Sequence, residues 1–151
     1  MEKTTLAPIE IGDEIAEYLK SKPAITDMIG VGRKARIYED NAKQGVDLPY
    51  IVFQVFQGTS QEHLNGIAGL SSNRIQIDAY GSSRAEASVL AEKIRLAPLQ
   101  MFRGRLENTF VSNVTSDGSY DRGSDPPSKG SDRRRFWQSR DYIVTYREAI
   151  A

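Results

Sequence analysis

The chain has no cysteine, one histidine and no excess charge of either sign. Without cysteine there are no disulfides, no thiolate ligands and no thiol nucleophile; this fits a reducing compartment, and equally anything assembled in a bacterial cytoplasm. His63 has no Cys, His or carboxylate cluster at ligand spacing around it, so a zinc site or a nucleophile–base pair lacks its other members. It reads as a polar loop residue. Twenty Lys and Arg balance twenty Asp and Glu, so no global field draws the chain to nucleic acid or to an anionic membrane. The same neutrality lets many copies pack side by side without long-range repulsion, which suits a homo-oligomer. No stretch reaches the ~20 apolar residues of a membrane helix. The opening Met1-Glu-Lys-Thr-Thr-Leu6 lacks the apolar core of a signal peptide, so a soluble, non-secreted protein is expected.

Phosphate loops are missing too. Gly30-Val-Gly-Arg-Lys-Ala35 matches G-x-G-x-x-A on paper, but it follows a helical pattern and precedes a strand, the reverse of the strand–turn–helix order that a dinucleotide site needs. These glycines read as a helix stop and a turn. Asn113-Val-Thr115 is a glycosylation sequon with no secretory route. Ser71-Ser72 and Ser82-Ser83 have no nearby base and read as turns and caps. No cofactor, metal or catalytic residue is expected.

What is present is the material of one domain, residues 1–151, long enough to bury about 70% of its unfolded surface. Ile11, Ile15, Tyr18 and Leu19 share one helical face, with Asp13, Glu14 and Glu17 on the other, and Pro23 ends that helix or bends it into a short turn around Ile25–Ile29. Residues 33–38 have modest strand character, and 40–47 read as a turn. The most specific stretch runs from Leu48 to Leu96. It opens with the strand Pro49-Tyr-Ile-Val-Phe-Gln-Val-Phe-Gln57, apolar on both parities and so expected to be central or covered on both faces. A Gly-rich excursion, 58–72, leads to Asn73-Arg-Ile-Gln-Ile-Asp-Ala-Tyr80, which alternates cleanly with Ile75, Ile77 and Ala79 inward; its outer face is expected to be wet or to meet a polar partner. Ser83 and Glu86 form a capping box for a helix with the core stripe Ala87, Leu90, Ala91 and Ile94, which Pro98 is expected to end.

Beyond Gly104, strands are predicted at 110–116 and 136–147, the second with Phe136, Tyr142, Val144 and Tyr146 on one parity. The segment between them, Asp117 to Asp132, has almost nothing to bury and reads as a long mobile loop. Relative to a four-residue hairpin its closure costs only about 1.2 kcal/mol more. The order of elements predicts an α+β fold: a mostly antiparallel sheet of four to five strands packed by an N-terminal helix and one central amphipathic helix. Asp132-Arg-Arg-Arg-Phe-Trp137 has three readings: snorkelling arginines at a strand entry with core aromatics, a stacking surface for a nucleic-acid backbone, or a contact with a neighbouring subunit or a DNA channel. Arg103 and Arg105 extend the same basic region.

The 48–96 block resembles the tail-completion, or tail-terminator, minor tail proteins of long-tailed bacteriophages and prophages. The similar features are Leu-Pro-Tyr-Ile-Val-Phe-Gln, the Gly-rich loop, Arg-Ile-Gln-Ile-Asp-Ala-Tyr and Ser-x-x-Glu-Ala opening a helix with Leu-Ala-Glu-Lys-Ile. The amphipathic N-terminal helix, the Arg-x-Tyr strand near Ile37 and the closing Asp-Tyr-Ile-Val-Thr-Tyr146 extend the resemblance over most of the chain. The Pro-Pro loop and the arginine triplet have no counterpart in that pattern. The resemblance implies a structural virion protein without chemistry, assembled in the host cytoplasm. It would form a ring, typically a hexamer, at the head-proximal end of the tail tube, stop tube polymerisation and offer the surface that joins the head. The implied partners are copies of itself, the tail tube protein and a head-completion or connector protein, with DNA only as cargo through the ring and no membrane.

A closed ring needs two different patches that meet. The acidic helix, with Glu14 and Glu17, and the Arg133, Arg134, Arg135 run are expected to supply opposite sides. His63, Leu64, Ile67 and Leu70 of the excursion are expected to reach the tube or a neighbour. Arg103, Arg105, Arg122 and Lys129 are candidates for a channel-facing basic set. Three other readings stand beside this one: another neck or head-completion protein of the same virion, a nucleic-acid-binding α+β module, and a small enzyme with a pocket between helix and sheet.

Overall fold

The computed structural model describes residues 11–42, 45–56, 60–61, 70–100, 111–125 and 134–147. Helix α1, Ile11–Lys20, buries Ile11, Ile15 and Leu19 as their spacing requires, and its Asp13 and Glu14 complement the dipole of the first turn. Pro23 begins a second helix, α2 (Pro23–Ile29), at a position where its missing N–H costs nothing. Gly30 stops α2 with φ 97° and an N–H bonded to the Thr26 carbonyl. A Cβ there would lie 2.9 Å from the Lys34 carbonyl oxygen, so the first glycine of the G-x-G-x-x-A run serves the chain path. One 3₁₀ turn, Gly32–Lys34, then leads into strand β1, Ile37–Glu39.

Strands β2 (Tyr50–Phe56), β4 (Leu70–Gly81), β6 (Arg135–Arg147) and β5 (Val111–Asp125) follow β1 across one sheet in the order β1-β2-β4-β6-β5, and the two-residue β3 (Ser60–Gln61) pairs with the start of β4. Every pairing is antiparallel except β1 with β2. The fold is the expected α+β class. Excursion residues 62–69 lie outside the described residues, but its last residues, 70–72, belong to β4.

Helix α3, Arg84–Gln100, crosses β4 and β6. The Glu86 N–H donates to Ser83 Oγ at 3.1 Å, half of the expected capping box. The Glu86 carboxylate instead accepts the N–H and hydroxyl of Ser82, at 2.8 and 3.0 Å, so the reciprocal half lands one residue earlier than the motif predicts. Ala87, Leu90, Ala91 and Ile94 are fully buried, as their stripe requires. Pro98 does not end α3, contrary to expectation: the helix runs on to Gln100. Pro98 removes one N–H so close to the C-terminus that only two residues remain to be carried past it. The Tyr18 hydroxyl donates to the Ala97 carbonyl at 3.0 Å, tying this last turn to α1.

The larger correction concerns the predicted loop 117–132. Its first nine residues are strand: β5 continues to Asp125, paired with β6 as far as Arg135; residues 126–133 lie outside the described set. Three register irregularities, at 111/113, 116/118 and 121/123, let this polar segment follow its partner. Gly118 and Gly123 sit at two of them with φ 152° and 85°. An edge strand is held by its backbone ladder and need bury little, so its composition looks like a loop.

Candidate assembly surfaces

Side-chain parity divides the sheet. Ile51, Phe53, Ile75, Ile77, Ala79, Tyr142, Val144 and Tyr146 join the helices in one core. The opposite parity carries no helix among the described residues. On that open face an aromatic ladder crosses four strands. Tyr38 meets Tyr50 edge-on at 6.3 Å, Tyr50 stacks on Tyr80 at 4.8 Å, and Tyr80 stacks on Trp137 at 5.3 Å. Arg135 lies over the Tyr80 ring at 5.6 Å and donates to the Tyr50 hydroxyl at 2.9 Å. Both offset stacking and a guanidinium over a ring stabilise such a row.

The next rows hold a polar network. Asp78 is buried and accepts from Ser139 Oγ at 2.5 Å and from Gln76 Nε2 at 3.1 and 3.2 Å. Burial pushes the Asp78 carboxyl above its ordinary range, opposed by those hydrogen bonds and by nearby Arg122. Asp141, 1% exposed, takes Arg74 Nη2 at 2.7 Å through Oδ2, and among the described residues its Oδ1 has no partner. Hydrogen bonding to Asp141 raises the Arg74 guanidinium further. The outer side of β4 therefore does meet polar partners, and Asp78 finds them within its own chain. Ser139 is fully buried and its hydroxyl donates to the Asp78 carboxylate, which ties β6 to β4. No set of three His, Cys, Asp or Glu that could hold a metal occurs among the described residues.

A buried cation sits on the covered face. Arg140 donates from Nη2 to Glu92 on α3 at 3.0 Å and to Gln138 at 3.1 Å, and Arg95 followed by Arg140 holds the Glu92 carboxyl below its usual range. Beside it, burial drives the Tyr142 phenol well above its ordinary value.

At the β1 edge, α1 and the sheet enclose a cleft of about 410 Å³ lined by Asp13, Ala16, Glu17, Lys20, Ile37, Glu39 and Phe53. Among the described residues its floor is apolar, and its rim holds the carboxylates of Asp13, Glu17 and Glu39 with the Lys20 ammonium, which pairs with Glu17. Beside the cleft, a Cβ on Gly12 would lie 2.8 Å from Val55 Cγ2 and 3.1 Å from the Phe53 ring, so a larger residue there would force α1 or these side chains to shift.

The residues singled out in the sequence scatter. Glu17 lines the cleft and pairs with Lys20 at 2.7 Å, and Glu14 lies on the same helix. Arg135 is engaged in the ladder, Arg134 is exposed immediately before β6, and Arg122 lies on the outermost strand. Leu70 starts β4. His63, Leu64, Ile67, Arg103, Arg105, Lys129 and Arg133 lie outside the described residues. Sequence reading missed the ladder and the Asp78–Ser139 bond, because both join residues distant in the chain through a register that one sequence does not disclose.

A family model described as tail completion protein gp17 matches residues 13–122, from within α1 to near the end of β5. Among solved structures, the chain is similar to one described as "Virion of native gene transfer agent (GTA) particle", with TM-score 0.55 and 14% identity, over 89% of this chain and 90% of that one. At that identity the likeness is one of fold. No curated protein matches.

Proposed function

We propose, from the premise that the chain belongs to the tail completion protein gp17 family, that it forms a ring at the head-proximal end of the tail tube, ends tube polymerisation and offers the surface to which the head is joined. Membership makes it a structural component of a phage-like virion. The ring, most simply a hexamer, its contacts with tube and head-completion proteins, and DNA as cargo are the finer parts of the proposal. The single observation that carries the reading is the family match over 13–122, a span from within α1 to within β5 that leaves out β6.

The physical picture is consistent with it. The described residues offer two extended sheet faces, and no helix among them is long and apolar enough to cross a membrane. The sheet has two unlike edges, β1 and β5, which suits the unlike patches a closed ring requires. The test is sizing and negative-stain imaging of the protein with and without tail tubes of the same phage. Rings of about six copies capping tubes at one end are expected; a strict monomer at every concentration with tubes present would overturn the reading.

A further inference from the structure

Resting on the ring reading above, we infer that successive subunits meet through opposite edges of the sheet: the acidic cleft between α1 and β1 of one subunit receives the Tyr120–Arg122 knob on the β5 edge of the next. Three observations carry this. The first is topological. β1 and β5 are the two outer strands, and the row Ile37, Ile51, Ala79, Gln138, Asp121 runs straight across the sheet. Cleft and knob therefore lie at opposite edges of the sheet at nearly the same level along the strands, the cleft on the helix-covered face and Tyr120 and Arg122, beside Ser139, on the open one, so that a head-to-tail contact steps from one face to the other.

The second is chemical complementarity. Arg122 lies 4.7 Å from the Tyr120 ring centroid, donates to Ser139 Oγ at 3.0 Å, and shares an exposed strand with Tyr120, which is 41% exposed. Arg84, at the start of α3, flanks the same edge through its ion pair with Asp121. An aromatic ring with a guanidinium beside it matches a cleft with an apolar floor, Ala16, Ile37 and Phe53, beneath the carboxylates of Asp13, Glu17 and Glu39. Tyr and Arg are the side chains that most often anchor interfaces. Asp121 and Asp78 offset part of the positive charge at the knob, as Lys20 offsets part of the negative charge in the cleft.

The third is that backbone pairing between edges is discouraged. β1 has three residues, and β5 carries three register irregularities; short and bulged edges resist strand addition. The contact is then made by side chains, many of them charged, and ring formation weakens as salt screens it.

A chain without cysteine gives a clean test. Glu17→Cys and Arg122→Cys are made singly and together, checked for wild-type melting, and treated with a short bis-maleimide in the presence of tail tubes. The double variant should give a ladder of cross-linked species up to the ring, and each single variant only monomer. Dimers from either single variant, or no ladder while the unmodified protein still rings tubes, overturn the contact and leave the ring reading intact. No ring from wild-type protein overturns both. Independently, Asp13→Arg with Glu17→Arg should weaken ring assembly by about tenfold at low salt, and adding Arg122→Glu should restore part of it. A folded triple variant no better than the double overturns the pairing.

Discussion

The two faces of the sheet solve different problems with the same strands. On the covered face, branched aliphatics meet the alanines and leucine of α3, and the buried Arg140 among them is tied to Glu92. On the open face, burial is reached without a covering helix, by side chains lying across their neighbours: a row of stacked rings and a row of carboxylates held by hydroxyl, amide and guanidinium groups. The covered face gains from removing apolar area from water, a non-directional force. The open face gains from directional contacts that stabilise only in one register. Stability should therefore concentrate on the first face, and pH response on the second.

The sharpest way to break this contrast is Ile77→Ala. Ile77 is 1% exposed beneath the helices, and its truncation should cost about 3 kcal/mol in urea denaturation. A cost under about 1 kcal/mol would mean that the covered face is not the main source of stability. Next comes Gly81→Ala. Its Cβ would lie 2.6 Å from the backbone nitrogen of Ala87, so α3 must shift at its start, for about 2 kcal/mol by the same measurement. On the open face, Trp137→Ala removes the end of a ladder that is only half-buried and should cost about 1 kcal/mol; a cost equal to that of Ile77→Ala would erase the distinction.

Asp78→Asn tests the pH response. Asp78 has a raised pKa in the folded state, so the folded chain takes up this proton before the unfolded chain does. This contribution makes the protein more stable as pH falls from above the raised pKa to the ordinary carboxylate value near about 4. The variant should lack that component when its melting temperature is compared with wild type across mildly acidic pH, and identical profiles would remove Asp78 from the account. The smallest effect is expected from Arg84→Ala. Its ion pair with Asp121 is exposed on both sides, so the melting temperature should not change measurably. Ring assembly should weaken, however, and this separation of association from stability is the strongest refinement of the comparison.

Local chemistry made much of the fold legible. The α1 stripe, the Ser83 cap and the Ala87–Ile94 stripe each follow from residues within a turn of one another, and the structure keeps them; Pro23, expected to end α1 or bend it into a short turn, instead opens α2. The errors share one cause. The sequence places a helix stop at Pro98 and a loop over 117–132 because their own composition favours neither helix nor strand. In the folded chain, the two residues after Pro98 complete a helix tied to α1 through Tyr18, and β6 supplies a ladder for β5. The acidic helix was legible as an acidic helix, but its role as one wall of a cleft was not, since the other wall comes from β1 and β2.

By itself the sequence determined most element types, the α+β class, the core positions of α1, β4 and α3, and the family pattern, because hydrophobic period, caps and turn residues act over a few residues. Only the tertiary structure decided that Tyr38, Tyr50, Tyr80 and Trp137 form one row, that Asp78 is buried against Ser139, and that an acidic cleft and an arginine-flanked edge stand at opposite sides of the sheet. Those facts depend on strand order and register, which are set by the joint packing of the whole core.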